Sequence, residues 1–231
     1  MTFAIVLAAT VAACFALRNP LRAYPLAFYV LAFAADALFL AGVLGGLPRA
    51  AWSVMLVLMQ KCMVPTALFA VVMYIGVLPR DSRPSLWLKP VRAELSIVAW
   101  ILSLGHVAVY AATYLPRIAL GGPVNANVGA SFVVAVVLLA LLAVLSVTSF
   151  NVVKKHMGTA SWKKVQLLAY PFFGLVYVHV LLMLLPSALH GGIASGISVA
   201  VYSVMFVAYF ILRIARARGE GHAKQLEGAV V

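Results

Sequence analysis

The chain has 231 residues, 65% of them hydrophobic and 10% charged, against about 25% charged in an average soluble domain. With a mean hydropathy of +1.10, this composition excludes a soluble enzyme and points to an all-α integral membrane protein. The net charge of +12 does not indicate nucleic-acid binding, because the basic residues fall in short stretches between apolar segments.

A membrane span needs about 20 apolar residues. Scanning from the N-terminus predicts seven spans, over residues 2–17, 25–45, 52–79, 95–115, 128–150, 165–186 and 192–212. The first is short, and basic residues follow it rather than precede it, which argues against a signal peptide. Val11-Ala12-Ala13-Cys14 looks like a lipoprotein cleavage box, but it lacks the basic stretch that precedes one. Cys14 and Cys62 both lie in apolar segments without a CxxC or CxxCH spacing. That counts against disulfide exchange, covalent haem attachment and cysteine-ligated clusters. No stretch between spans is long enough for a soluble domain, and neither GxGxxG nor GxxxxGK[ST] occurs.

Lysine and arginine alternate sharply between successive loops. One set holds Arg18 and Arg22, then Arg80, Arg83, Lys89 and Arg92, then Lys154, Lys155, Lys163 and Lys164, and finally Arg213, Arg216, Arg218 and Lys224. The opposite loops hold only Arg49 and Arg117. The positive-inside rule then places the N-terminus outside and the C-terminus in the cytoplasm, with the bundle in a bacterial inner membrane. The expected organisation is an extra N-terminal helix and loop over 1–24, a helical bundle over 25–212 and a basic tail over 213–231.

The ionisable residues inside the spans are the functional candidates, since burying them in hydrocarbon is expensive. They are Asp36, Lys61, His106 and His179. His156, His190 and His222 fall in loops or the tail, where solvent or the interface satisfies them. His106 and His179 lie about 11 and 14 residues from the basic ends of spans four and six, roughly 16–21 Å up. Two neutral imidazoles at matching depth on different helices can hold one haem iron from both faces. Gly105 and Gly174 would let a macrocycle approach the backbone. The rival reading is that each histidine only bonds a neighbouring helix. Zinc lacks a third converging ligand, and span seven has no lysine for a retinal Schiff base. Asp36 and Lys61, half-way along spans two and three, read as a structural ion pair. The alternative for them is a proton path, or a contact to a quinone or a haem propionate.

Two stretches carry a family likeness. Arg92-Ala93-Glu94-Leu95-Ser96 leads into an apolar run that reaches His106, and Ser161-Trp162-Lys163-Lys164-Val165-Gln166-Leu167-Leu168-Ala169-Tyr170 leads to His179. Together they resemble the ferric reductase-like transmembrane domain family, within it the haem-binding membrane subunits of bacterial periplasmic methionine-sulfoxide reductase systems. The resemblance implies a six-helix haem bundle, here with one added N-terminal helix. It makes His106 and His179 the axial ligands of one b-type haem in the outer half of the membrane. Gln166 stands where the family usually has a second, cytoplasmic-side histidine, and Ser96 where it has a glycine. Only one complete haem site is therefore expected.

The expected function is a membrane cytochrome b subunit, the electron-transfer component of an oxidoreductase. Electrons would pass from a cytoplasmic flavin reductase or quinol to an extracytoplasmic oxidoreductase partner. Arg117 and Arg49 on the outer side are candidate propionate contacts, with His190 or backbone N–H groups as alternatives. An FMN, FAD or quinone would bridge the gap left by the missing inner haem. The lysines at 154, 155, 163 and 164 would dock a reductase or hold a flavin phosphate, or else simply meet lipid headgroups. Rival functions are a haem-bearing quinone-reactive anchor of a respiratory complex and a cofactor-free transporter or structural membrane protein.

Overall fold

The computed structural model describes the backbone of residues 2–79 and 81–229 and the side chains of those up to residue 219. Arg80 and the side chains of His222 and Lys224 lie outside the described residues. The described chain forms α-helices joined by short turns, with one π-helical and one 3-10 turn. They are α1 (Thr2–Ala16), α2 (Arg18–Ala23), α3 (Pro25–Val43), α4 (Arg49–Met55), α5 (Met63–Ile75) and α6 (Arg83–Leu88). After them come α7 (Arg92–Ala119), α8 (Ala126–Ser149), α9 (Asn151–His156), α10 (Thr159–Gln166), α11 (Ala169–Leu189) and α12 (Ile193–Ala229).

Six helical segments are long and apolar enough to cross a membrane, making this a multi-pass membrane protein. They are Pro25–Val43, Arg49–Ile75, Arg83–Ala119, Ala126–Ser149, Thr159–Leu189 and Ile193–Gly219. Many large apolar side chains face outward, among them Leu26, Val133, Val204 and Ile211, as a lipid-facing surface requires. The seventh expected span is the 15-residue helix α1, which is apolar but shorter than the other six. It packs on α5 and α12, burying Phe3, Val6 and Cys14, and the Phe3 ring stacks 3.9 Å from that of Tyr202. The basic tail is not set apart from span seven, because α12 continues through it to Ala229.

One motif ends every second crossing. Gly-Gly pairs at 45–46, 121–122 and 191–192 follow α3, α7 and α11, and the first glycine of each pair has φ of +85°, +66° and +87°. The second glycine sends its N–H back five residues, to the carbonyls of Ala41, Arg117 and Ser187. This closes the helix ends while satisfying carbonyls that have no partner in the next turn. A Cβ on Gly192 would lie 2.6 Å from the Ser187 carbonyl oxygen, so the pair is a steric requirement there. The three turns share one end of the bundle, here called the glycine end. The loops rich in lysine and arginine share the opposite, basic end.

Helices α5, α7, α8 and α11 form a four-helix core in which α7 and α11 each pack against both α5 and α8. Helices α7 and α11 are therefore diagonal partners, and diagonal helices leave space for side chains or a cofactor between them. Helix α3 is added outside α7, and α12 outside α11.

The α3–α7 contact carries the most buried charge-bearing group. Asp36 is 5% exposed, and its Oδ2 accepts a hydrogen bond of 3.2 Å from the Gly105 N–H. Its Oδ1 has no partner. A Cβ on Gly105 would lie 2.6 Å from that oxygen and 3.2 Å from the Phe39 ring. Gly105 is thus small because α3 lies against it. Gly105→Ala should destabilise the fold by about 1–3 kcal/mol through overpacking. The same substitution in an Asp36→Ala background should cost much less, since the clashing oxygen is gone. Thermal unfolding of the four proteins in detergent measures the difference.

Candidate functional site

His106 on α7 and His179 on α11 face each other across the diagonal of the core. Their ring centres are 6.5 Å apart and their planes 81° to one another. Both are half-buried. The main chain defines their hydrogen bonding. His106 Nδ1 lies 2.6 Å from the Gln60 carbonyl oxygen, and His179 Nδ1 lies 3.2 Å from the Ser131 carbonyl oxygen and 2.9 Å from Ser131 Oγ. A carbonyl only accepts, so His106 Nδ1 carries the proton, and His179 Nδ1 carries it when it donates to Ser131 rather than accepting from the Ser131 hydroxyl. In the neutral ring a protonated Nδ1 leaves Nε2 as a free lone pair. Metal-bound histidines show the same division, with one nitrogen held by a carbonyl and the other given to the metal.

The carbonyl of Gln60 lies at an interruption of span three. Pro65 has no N–H to offer the Lys61 carbonyl, and its ring crowds that position. The chain responds with a π-helical turn over Leu56–Gln60 and a left-handed residue, Cys62, at φ 52° and ψ 30°. The helix resumes at Met63, with both the Thr66 amide and hydroxyl bonded to the Cys62 carbonyl. A non-glycine residue in the left-handed region is uncommon and here sits beside the histidine's hydrogen-bond partner. The continuous span expected over 52–79 is corrected in this respect. Pro65 inside an apolar run was the available sequence signal for it.

The site meets the geometric needs of a shared metal. With a metal–nitrogen bond of about 2 Å and about 1.2 Å from nitrogen to ring centre, two trans imidazoles place their centres about 6.4 Å apart. The observed 6.5 Å is close to this separation. Among the described residues no group of three histidine, cysteine or carboxylate side chains converges. The pair therefore offers two axial nitrogens, which suits a metal whose other ligands come from a macrocycle. On the glycine side the Tyr110 ring lies 4.7 Å from His106, and Tyr114 stacks on Tyr110 at 6.1 Å.

On the basic side the core is filled. Phe69 of α5 meets Phe172 of α11 edge-on at 5.1 Å, Trp100 of α7 meets Phe150 at 6.1 Å, and Leu142 and Leu145 of α8 are buried with them. Gln166 ends α10, and its Nε2 donates to Thr148 Oγ1 at 3.2 Å. Trp162 Nε1 donates to the Thr148 carbonyl at 3.0 Å. Both side chains fasten α10 to the end of α8. The helix breaks after Gln166 because Pro171 lacks an N–H for the Leu167 carbonyl, which takes the Tyr170 amide instead.

The other expected residues lie elsewhere. Gly174 faces α12, where an added Cβ would meet only the Phe210 ring edge at 3.7 Å. Arg117 is exposed in the last turn of α7, about 16 Å along the helix from His106. His156 and His190 are exposed and bond carbonyls of their own helices, Val152 and Pro186. The expected Asp36–Lys61 ion pair is corrected: the Asp36 carboxylate turns to Gly105, and Lys61 is exposed in the interruption.

The assigned tautomers are measurable without any ligand. Histidine 15N NMR should report His106 and His179 with Nδ1 protonated and Nε2 unprotonated. Pro65→Ala, which restores the missing N–H, should perturb the His106 signal and spare that of His179. Ser131→Ala should do the reverse.

The chain is 42% identical over 156 residues to an uncharacterized protein of Treponema pallidum (strain Nichols). The likeness covers 67% of this chain and 43% of that protein, so the chain spans less than half of the relative's length. No family model and no solved structure matches the chain.

Proposed function

We propose that this chain is a membrane b-type cytochrome subunit of a bacterial inner membrane, with His106 and His179 as the axial ligands of one haem b. The observation that carries the reading is the imidazole pair itself: two half-buried rings on diagonal helices, 6.5 Å apart, each with Nδ1 committed to a main-chain carbonyl. A bound haem would supply a one-electron couple in the middle of the bundle. The protein's part is to fix both imidazoles in the ligating tautomer, keep water away and set the orientation.

The basic end is the cytoplasmic end in this reading, and α1 is a seventh crossing that brings the N-terminus outside. His106 lies 14 residues into α7, so about 21 Å of helix separates it from the basic end. The aromatic and leucine packing around Phe69, Phe172 and Trp100 fills that interval. It supports a single haem, as does the use of Gln166 to fasten α10. Electrons therefore enter from a donor that reaches in from the basic end, a flavin reductase or a quinol, and leave to an oxidoreductase partner at the glycine end. The lysines of α9 and α10 would receive an acidic reductase surface or a flavin phosphate. Lys154 already lies over the Trp162 ring at 4.5 Å, which orders that stretch.

A quinone-reactive anchor is the second reading, favoured by an apolar groove of about 660 Å³ between α1, α5 and α12. The only hydroxyl on its walls, that of Tyr74, is already given to the Met205 carbonyl at 2.7 Å. A quinone head would find little to bond there.

Optical spectra of the purified protein, oxidised and dithionite-reduced, test the proposal. A b-type spectrum at one haem per chain is expected, abolished in both His106→Ala and His179→Ala and fully retained in Gln166→Ala. A colourless, folded protein would overturn it.

A further inference from the structure

Lys61 is a charge in the middle of the bilayer that the protein leaves without a counter-ion. Resting on the cytochrome reading above, we infer that the Lys61 ammonium is the counter-charge for the acidic edge of the haem, its propionates. The residue lies in the interruption of span three, one position after Gln60, whose carbonyl holds His106. Its backbone is therefore fixed at the rim of the imidazole pair, at the same depth. Its side chain is exposed, on a long flexible stem, and is free to swing toward the pair.

Among the described residues no carboxylate is paired with Lys61. The described carboxylates are Asp36, Asp81 and Glu94. Asp36 is turned into the α3–α7 contact and bonds the Gly105 amide. Asp81 and Glu94 belong to the connection before α7 and its first turn, at the basic end. A lysine at the bilayer centre costs about 2.5–3.5 kcal/mol on insertion scales, and such residues pair with one another or mark a ligand path. A propionate has the reciprocal problem, as an anion that must be neutralised in hydrocarbon. One charge-assisted bond resolves both. Arg117, the basic residue first considered for this role, lies three turns further out along α7.

The test uses two cofactors and three proteins. Wild type, Lys61→Met and Lys61→Arg are each loaded with haem b or with haem dimethyl ester, whose propionate charges are masked. Haem retention and midpoint potential are then measured. With haem b, Lys61→Met should lose retention by about tenfold and shift the potential downward, while Lys61→Arg stays near wild type. With the dimethyl ester, retention in all three should coincide. A Lys61→Met defect that persists with the ester assigns the lysine to folding or lipid contact and overturns the inference. Equal behaviour of wild type and Lys61→Met with haem b overturns it too, leaving the cytochrome reading intact. A wild type that binds neither cofactor removes that reading, and this inference with it.

Discussion

A polar group placed in hydrocarbon must find its partner inside the protein, and in this chain the main chain supplies most of those partners. The hydrogen bond from His106 to the Gln60 carbonyl is the clearest case. A helix carbonyl keeps a second lone pair beyond its ladder bond, and the π-helical turn before Cys62 presents that of Gln60 to the imidazole reaching across from α7. Pro65 breaks the ladder, and the strained geometry at Cys62 is the consequence. The local cost of a left-handed cysteine, of order 1–3 kcal/mol, is offset by a short bond that fixes the ring. The interruption thus lies directly beside the site, at the carbonyl that His106 bonds.

The same constraint organises the rest of the bundle. Tyr74 gives its hydroxyl to the Met205 carbonyl, tying α5 to α12, and Arg92 gives Nε to the Val72 carbonyl, tying α7 to α5. Arg213 covers the Tyr170 ring at 4.6 Å, and Arg18 covers Trp87 at 4.3 Å. Arginine serves well here, because its planar group stacks on a ring while its edge still donates. These contacts lie toward the basic end, where a cation also meets the negative ends of helices arriving there. Asp36, like Arg18 Nε, Glu94 Oε2 and the Tyr209 hydroxyl, is not fully satisfied. It has one bonded oxygen and one orphan, and it is held in place by the absence of a side chain at Gly105.

Much of this was legible in the sequence. Six of the seven apolar runs coincide with helical segments long and apolar enough to cross, because length and hydropathy alone decide them, while the first is the shorter helix α1. His106 and His179 were singled out by depth and direction, and they do face each other. Two things were missed for one reason, that depth along a helix says nothing about rotation around it. Asp36 and Lys61 sit at comparable depth but on faces that do not meet. Gly105 and Gly174 are near the histidines in sequence yet turn toward α3 and α12 respectively. The interruptions at 61–62 and 167–168 were signalled by Pro65 and Pro171, whose effect falls four residues upstream of the proline. The Gly-Gly turns at 45–46, 121–122 and 191–192 were equally visible as a repeat marking one side of the membrane.

Gln166 works as a tie at the bundle's edge. Here α10 stops at that residue, and the amide donates sideways to Thr148, next to the bond from Trp162. With both donors on one residue of α8, the short helix is fixed to the bundle's edge rather than to its axis. The axis is then open to apolar side chains, and Phe69, Phe172, Leu142 and Leu145 occupy it. Such packing lowers the local dielectric below the histidine pair. A charge change at the pair would be felt most strongly by the few charged groups at its own depth, and of these Lys61 has a free side chain while Asp36 does not. The asymmetry of the bundle, dense toward the basic end and polar-edged at mid-depth, follows from where one amide was turned.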